Sequence, residues 1–403
     1  MGNFNSFHKS YFTWHMGEGL QTVLLTWYMT IHIGLSAEQI GLLQSLALLP
    51  FLLFIVIGGV FSDKVGATFS FKLVVTFYGL ALFAIAAMDA TIGFNYWIFA
   101  LFCATSGVCS ALANPAIDTF ITESTNDSAE HNAVSASLIH NVAKFLGTAS
   151  NLIVAYLGAA GGFVLNGLLM ILSALFLTIH TRSISIPKAA VVDKSDEIRK
   201  STSKVALSHL ITDKISLDTV IASAALGLLT VPIGYIIWPL MIRESFSEYS
   251  WLLVLPYLTF WAGMIAASKL AVQLLGKLDR LGWWAIALWA GAGISIALLT
   301  VTTSFWMLAL LTFLYGVLVS AAKPLVYGYY LANSPKECRT TLISFDQMAF
   351  WGMATLGTTM LGFGVSLFGI TATVLIDSAL FLGVILVVAL RGNLSSVRKM
   401  DVQ

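Results

Sequence analysis

Twelve long apolar stretches follow one another along the chain, at about 11–33, 38–61, 71–88, 95–118, 133–158, 161–181, 217–241, 250–275, 283–302, 305–330, 340–364 and 369–391. A bilayer core takes about 20 consecutive apolar residues in a helix, so each stretch predicts one membrane-spanning helix. A polar segment, 182–216, divides them six and six. It carries the mixed-charge run Asp193-Lys194-Ser195-Asp196-Glu197-Ile198-Arg199-Lys200. We expect a solvated linker with a short amphipathic helix there, and a domain plan of 1–181, 182–216 and 217–403. Gly158, Gly161 and Gly162 are expected to mark a tight turn between the fifth and sixth stretches.

The two sets of six resemble each other. From Trp97 the chain reaches Gly107 and then Ala113-Asn114-Pro115; from Trp306 it reaches Gly316 and then Ala322-Lys323-Pro324 at the same spacings. The offset is 209 residues, and Ser135 and Ser344 keep it. A repeat of half the chain inside so apolar a sequence points to two homologous membrane halves, the plan of many secondary transporters, with the substrate site between them.

Composition agrees. Of 403 residues, 58% are hydrophobic and 10% charged, against roughly a quarter charged in soluble domains. The net charge of +1 offers no field for nucleic acid. Cys103, Cys109 and Cys338 fit no metal or disulfide spacing and read as small buried hydrophobes. With the amino terminus placed inside, 17 of the 21 basic residues fall in inside segments, and Arg243 alone lies in an outside loop. Positive charge collects on the cytoplasmic side, so both termini are expected in the cytoplasm, in a bacterial inner membrane.

Two loops carry a family signature. Gly59-Val60-Phe61-Ser62-Asp63-Lys64-Val65-Gly66 follows the second stretch, and Gly276-Lys277-Leu278-Asp279-Arg280-Leu281-Gly282 follows the eighth. They resemble the Gly-x-x-x-Asp-Arg/Lys-x-Gly loop of the major facilitator superfamily. The second copy has its first glycine one residue nearer the aspartate, and the first lacks the usual basic pair, having Ala67-Thr68-Phe69 instead. Asn114-Pro115-Ala116-Ile117-Asp118 and Asn132-Ala133-Val134-Ser135 resemble the branch that contains the bacterial enterobactin exporter and related efflux carriers. The resemblance implies an all-α membrane fold of twelve helices in two pseudo-symmetric halves. It also implies that Asp63 locks the inside face by meeting a helix amino terminus, here near Thr340 to Ser344. Asp63, Lys64, Asp279 and Arg280 are therefore gating candidates.

Charges inside the stretches are costly and usually functional. Glu18 lies in the first stretch with His15 one turn before it, and Asp118 ends the fourth. His140 and Lys144 lie four apart in the fifth, Lys269 in the eighth, Lys323 in the tenth and Asp346 in the eleventh. Two readings stand. The charges pair across helices to hold or gate the inside vestibule, or some bind substrate and carry protons. Asp118, Lys269 and Asp346, near helix ends, go to pairing and gating. Glu18, His140, Lys144 and Lys323 go to function, because the first and tenth helices line the cavity in the superfamily and Lys323 replaces the neutral Asn114 of the repeat. Glu18 with His140 would make a proton relay, and two lysines would suit an anionic group. Tyr235, Trp238 and Tyr327 are candidates for an amphipathic wall beside interfacial or packing roles. Pro115 and Pro324 are expected to kink helices that rock.

These features predict a secondary carrier working by alternating access, with proton-coupled export of a small amphipathic or anionic molecule such as a siderophore or drug. Uptake of a small organic anion or metal chelate, or lysolipid movement, is the alternative. The expected partners are that small molecule, membrane lipid and a coupling proton, on a monomer with no cofactor. No Gly-rich phosphate loop with lysine and serine supports an ATP-driven pump, and neither His-Glu-x-x-His nor Gly-x-Ser-x-Gly supports an enzyme. A channel would need a repeated filter or charged ring.

Overall fold

The computed structural model describes residues 6–123, 129–180, 196–275, 278–335 and 338–398. Regular structure among them is helical throughout. The α-helices are α1 (Ser6–Trp27), α2 (Ala37–Val65), α3 (Ala67–Thr91), α4 (Tyr96–Glu123), α5 (Ala129–Ala149), α6 (Asn151–His180), α7 (Asp196–Thr212), α8 (Lys214–Leu229), α9 (Trp238–Ser245), α10 (Val254–Leu275), α11 (Leu281–Leu298), α12 (Phe305–Asn333) and α13 (Arg339–Arg391). Among the described residues eight helical segments are long and apolar enough to cross a membrane. α1 and α5 fall outside that set, and they are the helices that hold Glu18, His140 and Lys144.

Two of the expected breaks lie inside apparently continuous helices. Gly158 in α6 has φ 72° and Gly369 in α13 has φ 77°, a left-handed conformation that a side chain disfavours and glycine accepts. They separate the fifth stretch from the sixth and the eleventh from the twelfth. Gly161 and Gly162 are helical, so Gly158 alone makes that turn. The fifth stretch is α5 continued, after a turn at Ser150, by the first residues of α6.

The seventh stretch is α8, a π segment (Ile233–Ile237) and α9. In the π register the Trp238 amide donates to the Ile233 carbonyl. The next such bond would run from residue 239 to Gly234, but Pro239 has no N–H. The Gly234 carbonyl accepts the Tyr257 hydroxyl instead, at 2.6 Å, and the Thr230 carbonyl accepts Tyr315 at 3.1 Å. In a lipid-embedded segment no water replaces these bonds.

The chain divides into two compact units. Unit one is Met1–Ser36, Leu43–Val191 and Ser250–Val254; unit two is Ala37–Leu42, Val192–Tyr249 and Leu255–Gln403. In unit one α1 packs on α5 and α6, and α3 on α4 and α6; in unit two α8 packs on α13, and α11 on α12 and α13. The repeat's glycines have one structural use. A Cβ on Gly107 of α4 would run into the Ala47 carbonyl of α2, and one on Gly316 of α12 into the Phe260 carbonyl of α10. Trp97 and Trp306, which open the two copies, are exposed, as interfacial tryptophans are.

The segment 182–216 is expected to carry a short amphipathic helix. Its second part is the 17-residue α7, whose Ala206 and Leu210 are buried against Tyr330, Cys338 and Leu342. An apolar face costs less docked than hydrated. The cysteines Cys103, Cys109 and Cys338 are buried, and among the described residues none forms a disulfide.

Candidate functional site

In unit one the candidate residues converge where α1 crosses α5. The crossing is close because it is made at glycines: a Cβ on Gly19 would strike the Lys144 carbonyl, and one on Gly147 the Met16 carbonyl. Glu18, beside Gly19, therefore meets Lys144 directly, with Nζ 3.4 Å from Oε2. His15, three residues earlier on the same helix, places Nδ1 2.8 Å from the same oxygen. The His15 and His140 rings lie edge to face with centroids 4.2 Å apart. The result is a connected series, Lys144–Glu18–His15–His140. One carboxylate oxygen serves an ammonium and an imidazole, the arrangement that lets a buried charge survive. His15 is buried, and its Nε2 takes no hydrogen bond among the described residues. The sequence placed His15 one turn from Glu18 but gave it no role; an i, i+3 histidine on the functional face was the available signal.

In unit two α12 and α13 bring Lys323 to Asp346, with Nζ 2.7 Å from Oδ2. Each helix adds an aromatic residue one turn further along. Lys323 Nζ lies 5.0 Å from the centroid of Tyr327 and 5.6 Å from that of Phe350. Asp346, assigned to gating, is thus the partner of a lysine assigned to substrate. Asn114, at the Lys323 position of the repeat, accepts the indole N–H of Trp14 at 3.3 Å, so the amide serves α1–α4 packing.

The three aromatic candidates lie on two elements and one π segment of unit two. Trp238 is buried, with ring contacts to Tyr257, Phe260 and Tyr315 at 5.4, 5.6 and 6.1 Å. Tyr327 stacks on Tyr330 at 5.5 Å, and Tyr235 is partly buried in the π segment. Trp238 thus serves packing within unit two. Asp279 and Arg280 are exposed ahead of α11. The side chains of Asp63, Lys64, Asp118 and Lys269 lie outside the described residues, and with them the proposed lock on the inside face. The backbone at the first loop is described: α2 ends at Val65, and Gly66 turns into α3 with φ 90°.

Asp218 was passed over, although it sits inside the seventh stretch. It is fully buried, with Arg391 Nε at 2.8 Å and the Asn393 amide donating at 3.0 Å. This pair ties the start of α8 to the end of α13. Asp89, in the last turn of α3, accepts the Tyr28 hydroxyl at 2.7 Å. Among the described residues no group of three or more His, Cys, Asp or Glu is placed to hold a metal ion.

The Major Facilitator Superfamily profile matches residues 10–241, more than half of the chain. No curated protein matches the sequence. Several solved structures are similar over nearly their whole length. A POT family transporter in complex with a thioalcohol-conjugated peptide has a TM-score of 0.75 at 13% identity, covering 97% of this chain and 96% of that one. The nucleoside transporter NupG has 0.73 at 11%, covering 96% and 98%. A D-xylose-proton symporter has 0.72 at 14%, covering 95% of each chain. At these identities the likeness is one of fold. The profile match, the apolar helices and the shared fold together place this chain in the major facilitator superfamily, as a multi-pass membrane transporter with that superfamily's twelve-helix, two-half architecture.

Proposed function

We propose that the protein is a proton-coupled secondary carrier working by alternating access on a small amphipathic or anionic molecule, with Glu18 as the proton site. The observation that carries this is the shared Glu18 oxygen, 2.8 Å from His15 and 3.4 Å from Lys144. A proton on Glu18 removes the charge that holds Lys144. The freed ammonium then offers an anionic substrate group its counter-charge. Loss of the proton by way of His15 and His140 restores the carboxylate, which recaptures Lys144 and expels the anion.

Export, toward substrates such as siderophores or drugs, is supported by the resemblance of residues 114–118 and 132–135 to the efflux branch. A second reading follows from the geometry. An anion reaches Lys144 only when Glu18 is protonated, so proton and anion travel together, and an inward proton gradient then drives uptake. The distribution of basic residues supports cytoplasmic termini, and the resemblance to the bacterial efflux branch supports the bacterial inner membrane.

Proteoliposomes with an imposed pH gradient of either sign, offered siderophores, drugs and organic acids, test these readings. We expect gradient-driven accumulation by the wild type, with the productive sign of the gradient giving the direction. Glu18→Gln should retain counterflow and lose gradient-driven accumulation. Equal accumulation by Glu18→Gln removes Glu18 as the proton site.

A further inference from the structure

The Lys323–Asp346 pair holds unused binding capacity on both members. Asp346 is 2% exposed at its side chain and Lys323 33%. Asp346 Oδ2 receives Lys323 at 2.7 Å, whereas Oδ1 is buried with no hydrogen-bond partner among the described residues. An ionised carboxylate accepts through both oxygens, and an ammonium carries three donors. The lysine approaches from α12 at the end of its own tether and satisfies one oxygen. Tyr327, four residues after Lys323, and Phe350, four after Asp346, present rings 5.0 and 5.6 Å from Nζ. A buried carboxylate between two aromatic faces is a receptor for an ammonium group, and here the protein's own lysine occupies it.

Charge balance then decides which ligand fits. A simple anion has to draw Lys323 away from Asp346 and so leaves a buried carboxylate without its counter-ion, the most costly way to open such a pair. A simple cation adds net positive charge where charge is penalised. A ligand with one of each leaves the total unchanged. Its ammonium replaces Lys323 between the rings and reaches both oxygens of Asp346, while the half-exposed lysine swings to the ligand carboxylate as a charge-assisted hydrogen bond.

We propose that the Lys323–Asp346–Tyr327–Phe350 cluster is a binding site for a zwitterionic headgroup, an ammonium and a carboxylate on one small molecule. This rests on the reading of Lys323 as a substrate residue and narrows the substrate class at that position.

Two matched trios of probes test it on the purified full chain: phenylalanine, phenethylamine and 3-phenylpropanoate, and 4-aminobutyrate, butylamine and butyrate. Binding is read by thermal shift and by competition between probes. In at least one trio the zwitterion should bind at least tenfold more tightly than the amine or the acid. Asp346→Asn should reduce it to the level of the acid, and Lys323→Ala to the level of the amine. Because a single variant strands a charge, the double variant Lys323→Met with Asp346→Leu serves as a fold control; it should melt in one transition and show no zwitterion preference. Acid and zwitterion binding equally in both trios overturns the proposal while leaving Lys323 as an anion anchor. Failure of both zwitterions to bind also overturns it. Zwitterion binding unchanged in Asp346→Asn and Lys323→Ala overturns it and removes Lys323 from the substrate site as well.

Discussion

A lysine and a carboxylate inside lipid are each expensive, and their pairing converts two penalties into one polar contact. The consequence at the residue level is asymmetry between single and double substitution. Lys144→Ala leaves Glu18 beside His15 alone, and breaking a buried pair from one side costs about 3–5 kcal/mol. The expected outcome is a clear drop in thermal stability for Lys144→Ala, with Lys144→Met combined with Glu18→Leu melting nearer the wild type than Lys144→Ala does. Additive losses, read from melts of the purified protein, would show that the two side chains do not act as a pair. Glu18, His140 and Lys144 were legible in the sequence because ionisable residues stand out in apolar stretches. Pairing of Asp346 was expected, but that its partner is Lys323 was not legible, since it depends on the rotation of α12 against α13. Asp218 was legible in kind but lies at the edge of its stretch, where an acid passes for part of a loop.

Helix crossings set those distances. At the α1–α5 contact the backbones touch through Gly19 and Gly147, and at the α8–α13 contact a Cβ on Gly227 would meet the Phe350 carbonyl and one on Gly357 the Leu228 carbonyl. Backbone cannot move aside as a side chain does, so Gly147→Ala must part α1 from α5. We expect it to lower stability and to abolish gradient-driven transport, while alanine at exposed Gly383, which meets nothing within 4 Å, is tolerated. Equal activity of Gly147→Ala would mean that the crossing does not position Glu18. The broken seventh span gives a second test. Tyr257→Phe strands the Gly234 carbonyl, and a buried unsatisfied acceptor costs about 1–3 kcal/mol; a thermal melt indistinguishable from wild type would show that this hydroxyl is dispensable. Span number and the turn at Gly158 could be read from hydropathy and glycine. The π segment could not, because hydropathy does not record which carbonyl an amide bonds.

Across the whole molecule, three carboxylates are each met by a basic residue of their own unit. Glu18 is met by Lys144 within unit one; Asp346 by Lys323, and Asp218 by Arg391, within unit two. Neither needs the other half to neutralise these groups. Basic residues flank both sets of six stretches, as insertion of each set calls for. The two halves should therefore insert as separate polypeptides. The place of the cut matters, because α7 docks on unit two through Ala206 and Leu210; the helix must stay with the second fragment. Co-expressed fragments 1–190 and 191–403 should both reach the membrane and together recover saturable counterflow, while either alone transports nothing. Moving the cut to follow Thr212 strips α7 from unit two and uncovers Tyr330 and Leu342, so that pair should lose most of the second fragment to degradation. If both cuts perform alike in membrane abundance and counterflow, α7 is a tether and its buried face contributes nothing to the fold.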